Sequence, residues 1–244
     1  MKKSAFYPLL VAIFFAISCS STYKAESIHY SSYRIQQAVP SNSVSSIIKQ
    51  YGDSVNKLMN VVIGYNEATL ERKKQGNTLG YFIADAYLEM ARQKIDPHVD
   101  AAFMNSGGVR LTDLPAGVIT QGKIYELMPF DNLMVLLKMK GSSLKQYLDT
   151  LAANEGVIES GITMNISNKT AQDIMIGGKP LDLNAEYKVV HSDYVVVNSV
   201  FLKTIARDTH SYLLRDAIID YVKLNNSQGK KIKVLNTDRV SYVN

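Results

Sequence analysis

The chain has 244 residues, 46% of them hydrophobic, and a formal net charge of +5. That length and apolar fraction suit one globular domain of ordinary size, alone or with a short appendage. Lys2 and Lys3 lie in a leader, so the folded part is only weakly basic, and no Lys/Arg cluster interleaved with aromatics argues for nucleic-acid binding.

The leader comes first in chain order. Lys2 and Lys3 precede an apolar run from Phe6 to Ile17, long enough for an export signal and short of the roughly 20 residues of a membrane span. Ala16-Ile17-Ser18 supplies the small residues of a cleavage site, which makes residues 1–18 the expected signal peptide. Cys19 follows directly and is the single cysteine, so it has no internal disulfide partner. Ala16-Ile17-Ser18-Cys19 resembles a lipobox, with Ala16 where leucine is usual. Lipidation at Cys19 is therefore expected, with plain secretion after Ser18 as the alternative. Ser20, in place of a retention aspartate, directs the expectation to the outer membrane or its periplasmic side. Residues 19–42, rich in Ser, Tyr and Gln, read as a tether.

A linker-helix region is expected over 43–76. Val44, Ile47, Ile48, Tyr51, Val55, Leu58, Met59 and Val62 recur at helical spacing, and Gly64 supplies a stop. A second helix starts after the capping types Asn77 and Thr78, with Leu79, Phe82, Ile83, Ala86, Tyr87 and Met90 on one face. Ala101–Met104 reads as a short buried strand, Leu133–Met139 as another, and Ser142–Ala152 as a helix. Strands follow at Ile162–Ile166, Asp173–Ile176 and Tyr187–Val190, then a helix through Leu213–Val222 and a closing strand at Ile232–Leu235. Helices and strands mix without regular βαβ alternation, which predicts one α+β domain, a mixed α/β unit over 77–244, rather than a doubly wound fold.

Three segments carry candidate chemistry. Asn105-Ser106-Gly107-Gly108-Val109-Arg110 follows a buried strand, and its glycines allow a sharp turn or close backbone approach to a ligand. Asn offers a donor and an acceptor, and Arg a planar fork; a plain surface turn is the alternative. Pro129-Phe130-Asp131-Asn132 sets an aromatic ring beside polar groups just ahead of a strand, fit to stack on a flat ring while its neighbours read the edge, or else to fill a core. Asp193-Tyr194 offers a second ring after the Tyr187–Val190 strand, with a partly buried tyrosine as the alternative.

Metal chemistry finds little material. There are four histidines, and the Asp208-Thr209-His210 and Gly52-Asp53 pairs stand in the wrong order for a two-metal site, so a cap or a solvated pair is the reading for them. No Gly-x-Ser-x-Gly elbow is present.

Taken together, Leu79-Gly80, Ala84-Asp85-Ala86, Asn105-x-Gly-Gly-x-Arg110, and Ile119-Thr120-x-Gly122 through Pro129-Phe130-x-Asn132 resemble the C-terminal domain of the 5'-nucleotidase family. Gly141-Ser142-x-Leu144, Glu159-Ser160-Gly161-Ile162 and Tyr187-Lys188-Val189-Val190 continue the match, and Tyr51 to Gly64 resembles that family's interdomain linker helix. The resemblance covers nearly everything beyond the tether. It implies a substrate-recognition domain in which Phe130 and Tyr194 sandwich a base while Asn105, Arg110 and Asn132 make polar contacts. It also implies that divalent metals and hydrolysis belong to a metallophosphoesterase half, expected on a separate exported chain, with no cofactor here. Two departures stand out: Asn198-Ser199-Val200-Phe201 replaces a Gly-Gly-Asp-Gly segment, which puts Val200 at the position of a ligand-contacting aspartate, and Gln75-Gly76-Asn77 stands where an arginine is common. The alternative to a hydrolase component is a lipid-anchored nucleoside-binding or structural surface lipoprotein.

Overall fold

In the computed structural model, the described residues are 27, 30–33, 42–73, 76–154, 158–235 and 237–243. Cys19, the signal sequence and most of the tether lie outside them. The chain divides after Ser45, and the fold below is that of the unit Ser46–Asn244. Among the described residues no helix is long and apolar enough to cross a membrane.

Helix α1, Asn42–Met59, carries the expected apolar stripe, yet Val44, Ile47, Ile48, Tyr51, Val55 and Leu58 are all at least half exposed. The helix stops at Met59, short of the predicted Gly64. Val62 and Gly64 belong instead to strand β1, Val62–Asn66, which pairs antiparallel with β5, Gly117–Thr120. The β-branched Val61-Val62-Ile63 run favours this extended path. Gly64 serves close packing, since a Cβ there would stand 2.6 Å from Val222 Cγ1. Strand β2, Leu70–Glu71, pairs with β4, Asp113–Leu114.

Helix α2, Thr78–Lys94, begins where its sequence predicts: Asn77 Oδ1 accepts from the Gly80 amide at 2.8 Å. Strand β3, Ala101–Phe103, leads to a 3-10 turn at Ser106–Gly108, and α3, Gln121–Leu127, is capped by the Thr120 hydroxyl. Strand β6, Leu133–Lys140, is followed by α4, Gly141–Ala153, β7, Glu159–Ser160, β8, Ile162–Ser167, β9, Thr170–Ile176, and β10, Lys179–Pro180. Strand β11, Glu186–Ser192, runs into a short helix α5, Asp193–Asn198. Strand β12, Ala206–Leu213, α6, Leu214–Ser227, and β13, Val240–Tyr242, complete the unit.

The central sheet has the order β12-β6-β11-β3-β7, antiparallel except for the parallel β11–β3 pair, and a second sheet has the order β10-β9-β8-β13. The mixture is the α+β architecture that the sequence predicts. Strand β6 reads as a continuous apolar run because both its faces are covered. Met134 and Leu136 enter one core with α2 and α6, whereas Val135, Leu137 and Met139 enter the other with α4, β8 and β9. The expected closing strand at Ile232–Leu235 is corrected: Ile232 makes one isolated bridge to Asn66, and the closing strand is β13, parallel to β8.

Candidate functional site

The C-terminal ends of the parallel strands β3 and β11 lie at one end of the central sheet, and the end of α3 is tied to the turn that follows β3. Asn105 ends the run from β3 and caps the 3-10 turn, its Oδ1 accepting from the Gly107 amide at 3.1 Å. Neither Gly107 nor Gly108 takes a positive φ, so the turn uses their lack of a side chain rather than their backbone freedom. A Cβ on Gly108 would press on Met128 Cε at 3.3 Å, and Gly107 leaves its backbone bare at the surface. Arg72 steadies the exit of this turn by donating to the Val109 carbonyl at 3.1 Å. The Arg110 amide donates to Leu127 O at 3.0 Å, which ties the turn to the end of α3.

Phe130, 37% exposed, stands on the loop between α3 and β6. The Arg110 guanidinium lies over its ring, 4.8 Å from the centroid. Asn132 is half-buried, and its carbonyl accepts from the Leu214 amide at the start of α6. Tyr194, in the first turn of α5, is 58% exposed. The structure brings all five sequence-selected residues, Asn105, Arg110, Phe130, Asn132 and Tyr194, around one cleft of about 340 Å³, with Gly107 and Gly108 as its remaining lining. No hydrogen bond to another described residue holds the Arg110 guanidinium, the Asn132 side-chain amide or the Tyr194 hydroxyl. The cleft therefore offers one cation, an amide and a hydroxyl beside two rings, a set suited to a flat polar molecule with acceptor groups.

Asp131 does not join them. Its carboxylate is bonded at 2.6 Å to Arg215, a residue of α6 whose side chain is only 8% exposed. The same guanidinium reaches the Phe130 carbonyl at 3.4 Å and covers the Tyr125 ring at 4.2 Å. Asp131 thus anchors the aromatic loop instead of reading a ligand edge. Arg215 had a sequence signal: it falls on the same helical face as Ile218, Ile219 and Val222, where a charge is out of place. Val200 is 77% exposed and does not line the cleft.

Other motif residues gather elsewhere. Asp85 of α2 pairs with Arg239 through two contacts of 2.7 Å and accepts from the Ser160 hydroxyl at 2.6 Å. Arg239 also donates to the Glu159 carbonyl at 3.0 Å and lies over the Tyr81 ring. The Glu159 carboxyl is fully buried with neither oxygen bonded, and desolvation pushes its pKa up to about 8 in spite of Arg239. The Asp208-Thr209-His210 pair lies on β12, where Asp208 faces Lys138 at 3.7 Å. Among the described residues no three His, Cys, Asp or Glu side chains gather as a metal site.

Comparison with known proteins places this geometry in context. The family model described as the 5'-nucleotidase C-terminal domain matches residues 48–201. The 5'-nucleotidases of Vibrio vulnificus and Vibrio parahaemolyticus are 29% and 30% identical over 157 residues, which is 60% of this chain and 27% of each relative. This chain thus spans little more than a quarter of those relatives' length. The structure of the 5'-nucleotidase precursor from Thermus thermophilus shares the fold, with a TM-score of 0.68 at 24% identity, over 83% of this chain and 43% of that one.

Proposed function

We infer function from the premise that this chain belongs to the 5'-nucleotidase C-terminal domain family: it is the nucleotide-recognising component of a nucleotide hydrolase. The observation that carries this reading is the convergence of Phe130, Tyr194, Asn105, Arg110 and Asn132 on one cleft. Arg110 covers one face of Phe130 and leaves the other for a base, a contact worth about 1–3 kcal/mol. Tyr194 closes over the base from α5. Asn105 retains its amide hydrogens for an acceptor, since only its oxygen is engaged by the turn, and Asn132 presents a second amide. Arg110, exposed and unbonded, meets ribose hydroxyls or phosphate.

Hydrolysis needs two metals that clamp the phosphate and activate water. The side chains described here do not gather for that purpose, so this reading assigns no bond-breaking step to them and gives the metals to a metallophosphoesterase half. The direct test is phosphate release from AMP with added divalent metal. The purified chain should be inactive, and activity should appear on adding an exported metallophosphoesterase from the same organism. Phe130→Ala should then raise KM more than it lowers kcat. Full activity of the chain alone would overturn the assignment. Export and lipid anchoring at Cys19 belong to the same reading; Cys19→Ser should abolish labelling with a fatty-acid analogue.

A second reading, a nucleoside-binding or structural surface lipoprotein without a catalytic partner, draws on Val200, an exposed apolar residue in place of a ligand-contacting aspartate. Adenosine binding without any reconstituted hydrolysis would favour its binding form.

A further inference from the structure

Beside the cleft lies a second, half-open pocket of about 210 Å³ that shares Asn105 with it. The consecutive residues Tyr194 and Val195 line the cleft and the second pocket respectively. Phe103, Met104, Leu151, Ile158 and Val195 make most of its lining apolar, Tyr147 and His191 form one polar end, and Asn105 and Ser106 add neutral polar groups. Among the described residues no lining side chain is a carboxylate, an ammonium or a guanidinium.

The polar end has a defined proton arrangement. His191 is 3% exposed, and burial pushes its pKa down to about 3, so the ring is neutral. The Ser192 amide donates to His191 Nδ1 at 2.8 Å, which makes Nδ1 the unprotonated nitrogen. The ring proton therefore sits on Nε2 and is donated to the Tyr147 hydroxyl oxygen, 2.7 Å away. Tyr147 accepts in that bond, which leaves its own hydroxyl proton without an acceptor among the described residues, on a side chain only 6% exposed. Phe103 packs edge-on to the Tyr147 ring at 5.2 Å and stacks on His191 at 5.9 Å, fixing both. A buried, oriented donor that meets no acceptor among the described residues of a mostly apolar pocket calls for one from outside the chain.

We propose that this second pocket is a further ligand site, for a flat, uncharged, single-ring molecule whose carbonyl or ring nitrogen accepts from the Tyr147 hydroxyl. Its volume exceeds the roughly 150 Å³ that suffices for a benzene-sized guest and falls below the ~300 Å³ at which drug-sized sites begin. Among the described residues no cation lines the pocket, so carboxylates and phosphates would lose hydration there without a charged partner. The site does not depend on what the cleft binds.

The experiment is saturation-transfer NMR on the full chain with 2-pyridone as probe, benzoate as a charged ring of similar size, and adenosine titrated separately to report the cleft. 2-Pyridone should receive transfer and benzoate should not. Tyr147→Phe should weaken 2-pyridone binding by about threefold to tenfold, the effect of one neutral hydrogen bond. Leu151→Phe should fill the cavity and abolish binding, with adenosine affinity unchanged in both variants. Equal transfer to benzoate, indifference of 2-pyridone to both substitutions, or loss of its signal in Phe130→Ala would each overturn the proposal, the last by placing the ring in the cleft. Should either variant fail to fold, nitrogen-15 NMR of the intact chain still decides: a His191 proton on Nδ1 instead of Nε2 removes the oriented donor.

Discussion

The cluster at Asp85 and the cleft at Phe130 both draw on residues of the same ordered motifs, the cluster adding Arg239 from outside them, and they differ in where their polar atoms turn. Ser160 and Arg239 both donate to the Asp85 carboxylate, and Arg239 lies over the Tyr81 ring. Arg110, Asn132 and Tyr194 face an open cleft, with their side-chain polar groups bonded to no described residue. Polar groups enclosed and mutually bonded stabilise the fold, because separating them leaves a desolvated charge; polar groups left open beside aromatic rings are available to a ligand. A shared motif pattern therefore covers two physical roles, and substitutions can pull them apart.

The largest effect is expected at Arg239. Arg239→Ala leaves the Asp85 carboxylate, 24% exposed, without its bidentate partner, and should lower unfolding free energy by about 3–5 kcal/mol in denaturant titration. Molecules that remain folded should bind adenosine as before. A loss below about 1 kcal/mol would place the pair with ordinary surface contacts.

The pH dependence of stability sharpens the same contrast. Glu159 holds its proton up to about 8 in the fold and releases it near 4.5 when unfolded, so its contribution is full below pH 4.5 and is lost as pH rises to about 8. His191 has the opposite sign: its folded value of about 3 lies below the free value of 6.5, so its contribution is full above pH 6.5 and is lost as pH falls toward 3. The two slopes, each of order 1 kcal/mol per pH unit, offset between pH 4.5 and 6.5 and leave a plateau there. Glu159→Gln should remove the fall between pH 6.5 and 8 and replace the plateau by the His191 rise up to pH 6.5 in thermal melts; an unchanged profile would show that the carboxyl titrates normally.

On the cleft side, Phe130→Ala should weaken adenosine binding by about tenfold or more while moving the thermal midpoint little, because the ring is 37% exposed. Arg215→Met should have the smallest effect of the set. It frees Asp131 and the Phe130 carbonyl, and the loosened loop should weaken adenosine binding by about twofold to tenfold, the range of one hydrogen bond.

Much of the open cleft was legible in the sequence, and most of the closed cluster was not. Asn105, Arg110, Phe130 and Asn132 stand in loops after or before apolar strands, and Tyr194 in the helical turn that directly follows β11, so strand ends fix their positions. Arg239 lies 154 residues from Asp85 in a segment with no periodicity, so only the parallel pairing of β13 with β8 brings it home. Local pattern also misled at Val62, where the helical spacing of α1 runs by chance into a β-branched strand. It misled again at Ile232–Leu235, an apolar run that contributes one bridge and no strand. The exposed stripe of α1 makes the same point from the other side: periodicity names a face but not what covers it.

Calorimetric titration of adenosine into the purified chain, its Phe130→Ala variant and its Arg239→Ala variant tests the division between cleft and cluster most directly. Saturable binding to the chain, weakened about tenfold or more in Phe130→Ala and retained by the folded fraction of Arg239→Ala, is the expected result. Absence of binding at millimolar adenosine, or equal affinity with and without the Phe130 ring, would contradict it.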